Sequence, residues 1–140
     1  MATTPRSCHT HPGHFSIIVL GLSLSLGALA NPIQDSYLAT AKQENPAFKE
    51  FSATAGQKFY HAKPGELACA SCHTDSPMAV GKHATTGKEI QPLAPVANAK
   101  RFTDAANVEK WFKRNCNDVL KRACTAQEKG DFMAYLLSVK

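Results

Sequence analysis

Nothing in this 140-residue sequence repeats and no low-complexity tract interrupts it; it carries one tryptophan, three methionines and three tyrosines. Its one extended apolar run, residues 15–26, stops well short of the roughly 20 residues that a membrane-spanning helix needs. The length leaves room for one domain, which excludes a multidomain enzyme. A second C-x-x-C pair is missing, and with it the usual four-ligand zinc arrangement. The charge imbalance is mild, 16 Lys plus Arg against 11 Asp plus Glu, and nothing points to nucleic acid.

The first thirty residues hold one Arg and no acid, then the apolar run, then the small-residue triplet Ala28, Leu29, Ala30. That order reads as an export signal cut after Ala30, so residues 31–140 are expected to form the working domain, in the periplasm and without a membrane span. The cut removes Cys8 and leaves an even set, Cys69, Cys72, Cys116 and Cys124, in a compartment where disulfides persist.

Pro, Gly and polar residues gather at 63–100, and the ends read as helices. Ile33, Tyr37, Leu38 and Ala41 lie at helical spacing until Pro46 interrupts them. A second helix is expected over residues 48–61, carrying Phe51, Ala55, Phe59 and Tyr60 and closed by the turn signal Lys63, Pro64, Gly65. The third is expected to start at Thr103 or Asp104, either of which can cap it, and to end near Asn115. Thr125 with Glu128 makes a capping box for a fourth, ahead of Phe132, Met133, Leu136 and Leu137. No alternating strand stands out. The expectation is an all-α domain whose long loops wrap something other than protein.

Cys69, Ala70, Ser71, Cys72 and His73 spell C-x-x-C-H, the pattern for covalent attachment of a single c-type haem. Two thiols at this spacing can bond the two vinyl groups, and the adjacent imidazole then serves as proximal ligand to the iron. A zinc site lacks further ligands, since His61 and His83 are scattered. A thioredoxin-like dithiol would need a strand before the motif, which Lys63 to Gly65 do not offer.

Occupancy of the sixth iron position separates a closed electron carrier from a site open to small molecules. Met78, five residues past His73, starts on the proximal side. Met133 sits on the apolar stripe of the last helix, where a core thioether is the ordinary outcome. His61 and His83 lie in polar surroundings. Val108, Trp111, Phe112 and Asn115 fall at i, i+3, i+4 and i+7, which places the Asn115 amide on the apolar, buried face of the third helix. A buried amide needs a partner, and iron is one; asparagine is equally at home at a helix C-terminal cap, and spacing alone leaves both readings open. Cys116 and Cys124, with seven residues between them, are expected to form a structural disulfide joining the third and fourth helices; a sharper reading has it fix Asn115 and act as a redox control. Lys110, Lys113, Arg114, Lys121 and Arg122 cluster nearby, as a solvated face or as a surface that steers an acidic partner.

Residues 86–95 (T-G-K-E-I-Q-P-L-A-P), 101–104 (R-F-T-D), 108–111 (V-E-K-W) and 114–117 (R-N-C-N), together with the haem motif, resemble the sphaeroides haem protein family, small oxygen-binding cytochromes c of bacterial periplasms. The likeness is dense over residues 86–137 and loose before Phe59. It implies a class I cytochrome c-like fold with an extra N-terminal helix, His73 as proximal ligand, Asn115 as distal ligand in the oxidised state, and a Cys116–Cys124 bridge. It further implies that Asn115 leaves on reduction, that the ferrous iron then binds oxygen, nitric oxide or carbon monoxide, and that the electron donor is a redox partner protein such as a dihaem cytochrome c. A conventional six-coordinate carrier and catalytic reduction of a small ligand are the competing functions. With no distal His or Arg to act as acid or base, the residues lean away from an enzyme.

Overall fold

In the computed structural model, which describes Met1 and residues 31–140, the element order is α1 (Pro32–Glu44), α2 (Ala53–His61), α3 (Cys69–His73), β1 (Gly81–Lys82), β2 (Glu89–Ile90), α4 (Ala105–Leu120) and α5 (Ala126–Ser138). The expected signal segment and its cleavage after Ala30 lie outside the described residues. The fold is all-α apart from one two-residue ribbon, and no described helix is long and apolar enough to cross a membrane.

Local chemistry sets most boundaries. Asn31 precedes Pro32 at the first turn of α1, and its side-chain oxygen accepts the N–H groups of Ile33 (3.0 Å) and Gln34 (3.4 Å). Helix α2 starts five residues later than expected. Ser52 takes extended backbone there, caps the Ala55 N–H through its hydroxyl (3.2 Å), and donates its own N–H to the Asp131 carboxylate on α5 (2.7 Å). That tertiary bond holds residues 48–51 outside the helix. Asp104, not Thr103, caps α4 through the Asn107 N–H (3.0 Å). Helix α4 then runs five residues past Asn115, because half-buried Val119 and Leu120 extend its apolar side and no breaker intervenes; it stops at left-handed Lys121 (φ 59°). The α5 capping box is present in both directions, and Arg122 forks onto the same Glu128 at 2.6 and 2.7 Å.

The β1–β2 ribbon corrects the expectation of no strand: Gly81 pairs with Ile90 and Lys82 with Glu89, antiparallel. Strands of two residues are too short for alternation to show in sequence. His83 belongs to the connecting turn, where its Nδ1 accepts the N–H groups of Thr85 (3.3 Å) and Thr86 (3.2 Å).

The core forms where α5 packs on α1 and α2, with Tyr60, Met133 and Leu136 fully buried and Tyr37, Phe112, Phe132 and Tyr135 around them. Gly56 permits the closest approach. A Cβ there would stand 1.9 Å from the Asp131 carbonyl oxygen, so no larger residue fits between α2 and α5. Helix α4 is tied on by edge-to-face rings, Phe112 on Phe132 at 5.6 Å and on Tyr37 at 5.9 Å, and by the Cys116–Cys124 disulfide, with Cα atoms 5.6 Å apart. The Tyr37 hydroxyl and the Lys129 ammonium both donate to Glu109. Burial alone would raise the Glu109 carboxyl, but those two partners hold it below the usual carboxylate range.

Candidate functional site

Helix α3 consists of the five motif residues and nothing else. Cys69 and Cys72 are three apart, so both thiols project from one side of a single turn, and His73 closes that turn. The Ser71 hydroxyl accepts the Ala68 N–H at 2.9 Å, which starts the helix. Thr74, at φ 63° and ψ 172°, ends it in a positive-φ conformation that a threonine adopts only under constraint.

Two residues supply that constraint. The buried Tyr60 hydroxyl of α2 directs its one proton at the Thr74 carbonyl (2.6 Å), with the His73 carbonyl also within reach (3.1 Å). Burial, aided by Tyr135, Cys69 and Asp75, pushes its pKa well above the ordinary tyrosine value, so it remains a donor. From the other side, Gly81 of β1 lies directly on the α3 backbone. A Cβ there would stand 2.2 Å from the Cys72 carbonyl oxygen and 2.9 Å from the His73 Cα. Neither role is visible in sequence, because each depends on an element distant in the chain. Tyr60→Phe is expected to cost about 1–2 kcal/mol in a guanidinium melt, since a part-buried carbonyl loses its donor; an unchanged midpoint would contradict this clamp.

Burial pushes the Cys69 thiol up to about 11. Burial and then the Arg101 guanidinium push His73 down to about 4, which keeps its imidazole neutral with a lone pair to give. Arg101 is itself fixed by the carbonyls of Pro92 (2.8 Å) and Gln91 (2.5 Å). Cys69 and Cys72 are the unpaired cysteines among the described residues, the other two being joined in the disulfide. Two free thiols and one neutral imidazole on a single turn are the donor set that covalent haem attachment requires, so the residues fit that group. Among the described residues there is no cluster of three or more His, Cys, Asp or Glu side chains that could hold a bare metal ion. The segment ahead of α3 is loop, which goes against the thioredoxin-like alternative.

The other side chains considered for the iron divide clearly. Met133 is fully buried in the core, His83 is engaged in the hairpin turn, and His61 stands edge-on to Tyr60 and 3.7 Å from Asp75. Met78 is 43% exposed in the loop after α3. Asn115 requires correction. It is neither buried nor a cap but an exposed residue in the body of α4. The buried face is set by Phe112 and Cys116 against the core rings and the disulfide, and one step back from Cys116 turns Asn115 by about 100°. Val108, Trp111, Asn115 and Val119 therefore form a second stripe beside the core face, open or half-open along its length.

Residues 46–136 match a family described as "Domain of unknown function (DUF1924)". The chain is 45% identical over 132 residues to cytochrome c'' of Methylophilus methylotrophus, covering 87% of this chain and 92% of that protein. It is 51% identical over 74 residues to the cytochrome c-type protein SHP of Cereibacter sphaeroides, covering 53% and 57%. The crystal structure of oxidised cytochrome c'' superposes with a TM-score of 0.69 at 44% identity, over 77% of this chain and 92% of that one. Oxidised SHP, described as an oxygen-binding cytochrome c, superposes with a TM-score of 0.65 at 39% identity, over 74% and 91%. With the C-x-x-C-H turn in place and both cytochromes matched in sequence and fold, the chain belongs to the SHP-like family of c-type cytochromes.

Proposed function

We propose that this protein is a periplasmic monohaem cytochrome that accepts an electron from a partner protein and, once reduced, binds a diatomic ligand at the iron. Cys69 and Cys72 hold one haem c through two thioether bonds, and His73 supplies the proximal imidazole. Bound there, haem supplies a one-electron couple and, in its ferrous state, affinity for oxygen, nitric oxide and carbon monoxide. Tyr60 and Gly81 fix the turn that carries His73.

The observation that carries the redox-linked part is the placement of Asn115. Its amide stands on α4 outside the core cluster, next to a cysteine locked by the disulfide, so it can serve as a ligand without unpacking the core. Its amide oxygen is a hard, neutral donor that suits ferric iron better than ferrous iron, so gain of one electron weakens its hold. Asn115 would then act as a gate, held where the bound haem is oxidised and released where it is reduced. The likeness to SHP supports ligand binding, and the solution structure of cytochrome c'' is described in terms of haem-ligand detachment. Met133 does not offer the thioether of a permanently closed carrier, since it is fully buried in the core. The donor in this reading is a redox partner protein, a dihaem cytochrome c being the class to which the family resemblance points.

Carbon monoxide added to the anaerobically reduced holoprotein tests the reading. One equivalent per haem is expected to shift the Soret band; a spectrum that no amount of carbon monoxide alters would contradict an open ferrous site.

A further inference from the structure

Residues 31–140 carry 15 basic and 11 acidic side chains, a net charge of +4. Residues 105–124 alone hold five of the basic and two of the acidic, so three of those four net charges lie on α4 and the turn after it. Residues 31–61, by contrast, are balanced at three of each sign. Of the two acids near α4, Glu109 is matched by Tyr37 and Lys129, and Asp118 stands 3.9 Å from Arg114. Arg122 is taken up by Glu128. Lys110, Lys113, Arg114 and Lys121 are all exposed on the side of α4 away from the core. A shallow cleft opens between Lys110, Lys113, Arg114, Asn117, Asp118 and Ala123.

We propose that this outer face of α4 is the docking surface for an acidic face of the electron-transfer partner. The proposal rests on the redox reading above and adds where the partner sits. Exposed cations collected on one helix raise the encounter rate with an acidic protein, and arginine, here Arg114, is among the side chains that most often anchor an interface. The carboxylate of Asp118 and the amide of Asn117 in the cleft suit the mixed surface of a protein better than a uniformly anionic bilayer. Lys113 and Arg114 lie on the same helix as Asn115 but turned away from it, so a partner seated here lies over the element that carries the gate.

The test uses oxidised plastocyanin, an acidic copper protein, as the probe. One electron passes from the ferrous holoprotein to Cu(II), leaving the ferric holoprotein and Cu(I), with no atom or proton moved. Lys110→Glu/Lys113→Glu is compared with Lys42→Glu/Lys58→Glu, which makes the same charge change at exposed positions on α1 and α2. At low ionic strength the α4 variant is expected to react about tenfold more slowly than wild type. The control variant is expected to stay within about twofold, and the difference to vanish at high salt. Equal slowing in both variants would reduce the effect to net charge and overturn the surface, as would an α4 variant that matches wild type. If the α4 variant loses binding to phosphatidylglycerol vesicles while its rate with plastocyanin is unchanged, the face belongs to a membrane and the proposal falls. Absorption spectra of both variants, ferric and dithionite-reduced, keep the two readings apart. Spectra like wild type confine any failure to docking, whereas a holoprotein that dithionite cannot reduce brings down the redox reading and this surface with it.

Discussion

Asn115→Ala is expected to yield a ferric holoprotein that takes up added imidazole with an apparent affinity about 100-fold above wild type. The figure follows from competition: a ligand that must wait for a gate open in about 1% of molecules binds with its affinity reduced by that fraction, and removing the gate restores it. The reduced protein should change little, because in the proposed reading Asn115 is off the iron in that state. Asn117→Ala, two residues on and facing outward, serves as the control and should leave ferric binding as it was. Since Asn115 is exposed and outside the core cluster, truncating it is expected to leave the fold's stability nearly unchanged, so a binding effect is separable from damage. Ferric affinity equal to wild type would show that another group, or none, occupies the sixth position.

Replacing both disulfide cysteines, Cys116→Ala with Cys124→Ala, should have the largest effect on stability. Closing a loop with a sequence separation of 8 is worth about 2.5 kcal/mol in the chain-entropy model, and both sulfurs are buried within the core cluster. Helix α4 is held at that end by the bridge, while Phe112 and Glu109 hold its middle. Without the bridge the turn of α4 that bears Asn115 is free to fray, so ferric imidazole binding should rise several-fold even though Asn115 is present. Guanidinium melts with the ligand titration above check both parts. A midpoint unchanged from wild type would contradict the structural role, and a lower midpoint with unaltered ligand binding would sever the bridge from the gate.

Where an element's limits depend on its own residues, the sequence announces them. Asn31 and Pro32 begin α1, Asp104 begins α4, and Thr125 with Glu128 begins α5, because a cap is a contact across three or four residues. The attachment turn is legible for the same reason, since two thiols and an imidazole within five residues need no tertiary information. The errors share a different origin. Helix α2 starts late because Asp131 on α5 holds the Ser52 N–H. The tilt of Asn115 away from the core depends on which way Phe112 and Cys116 turn α4, and those are fixed by Tyr37, Phe132 and Cys124 from elsewhere in the chain. Apolar spacing marked a stripe on the helix correctly but could not separate the half of it against protein from the half beside it. Tyr60 and Gly81 were missed as site residues because a phenol 13 residues before His73 and a glycine in a two-residue strand carry no local sign of what they touch.

The central claim, that the iron is closed when oxidised and open when reduced, is tested most directly by the absorption spectrum of the purified wild-type holoprotein. It is recorded ferric, then anaerobically reduced, then after oxygen is admitted. The account predicts a high-spin ferrous spectrum that shifts when oxygen enters. A low-spin ferrous spectrum indifferent to oxygen would mean that a ligand stays on the iron in both states, and that the protein is a plain electron carrier.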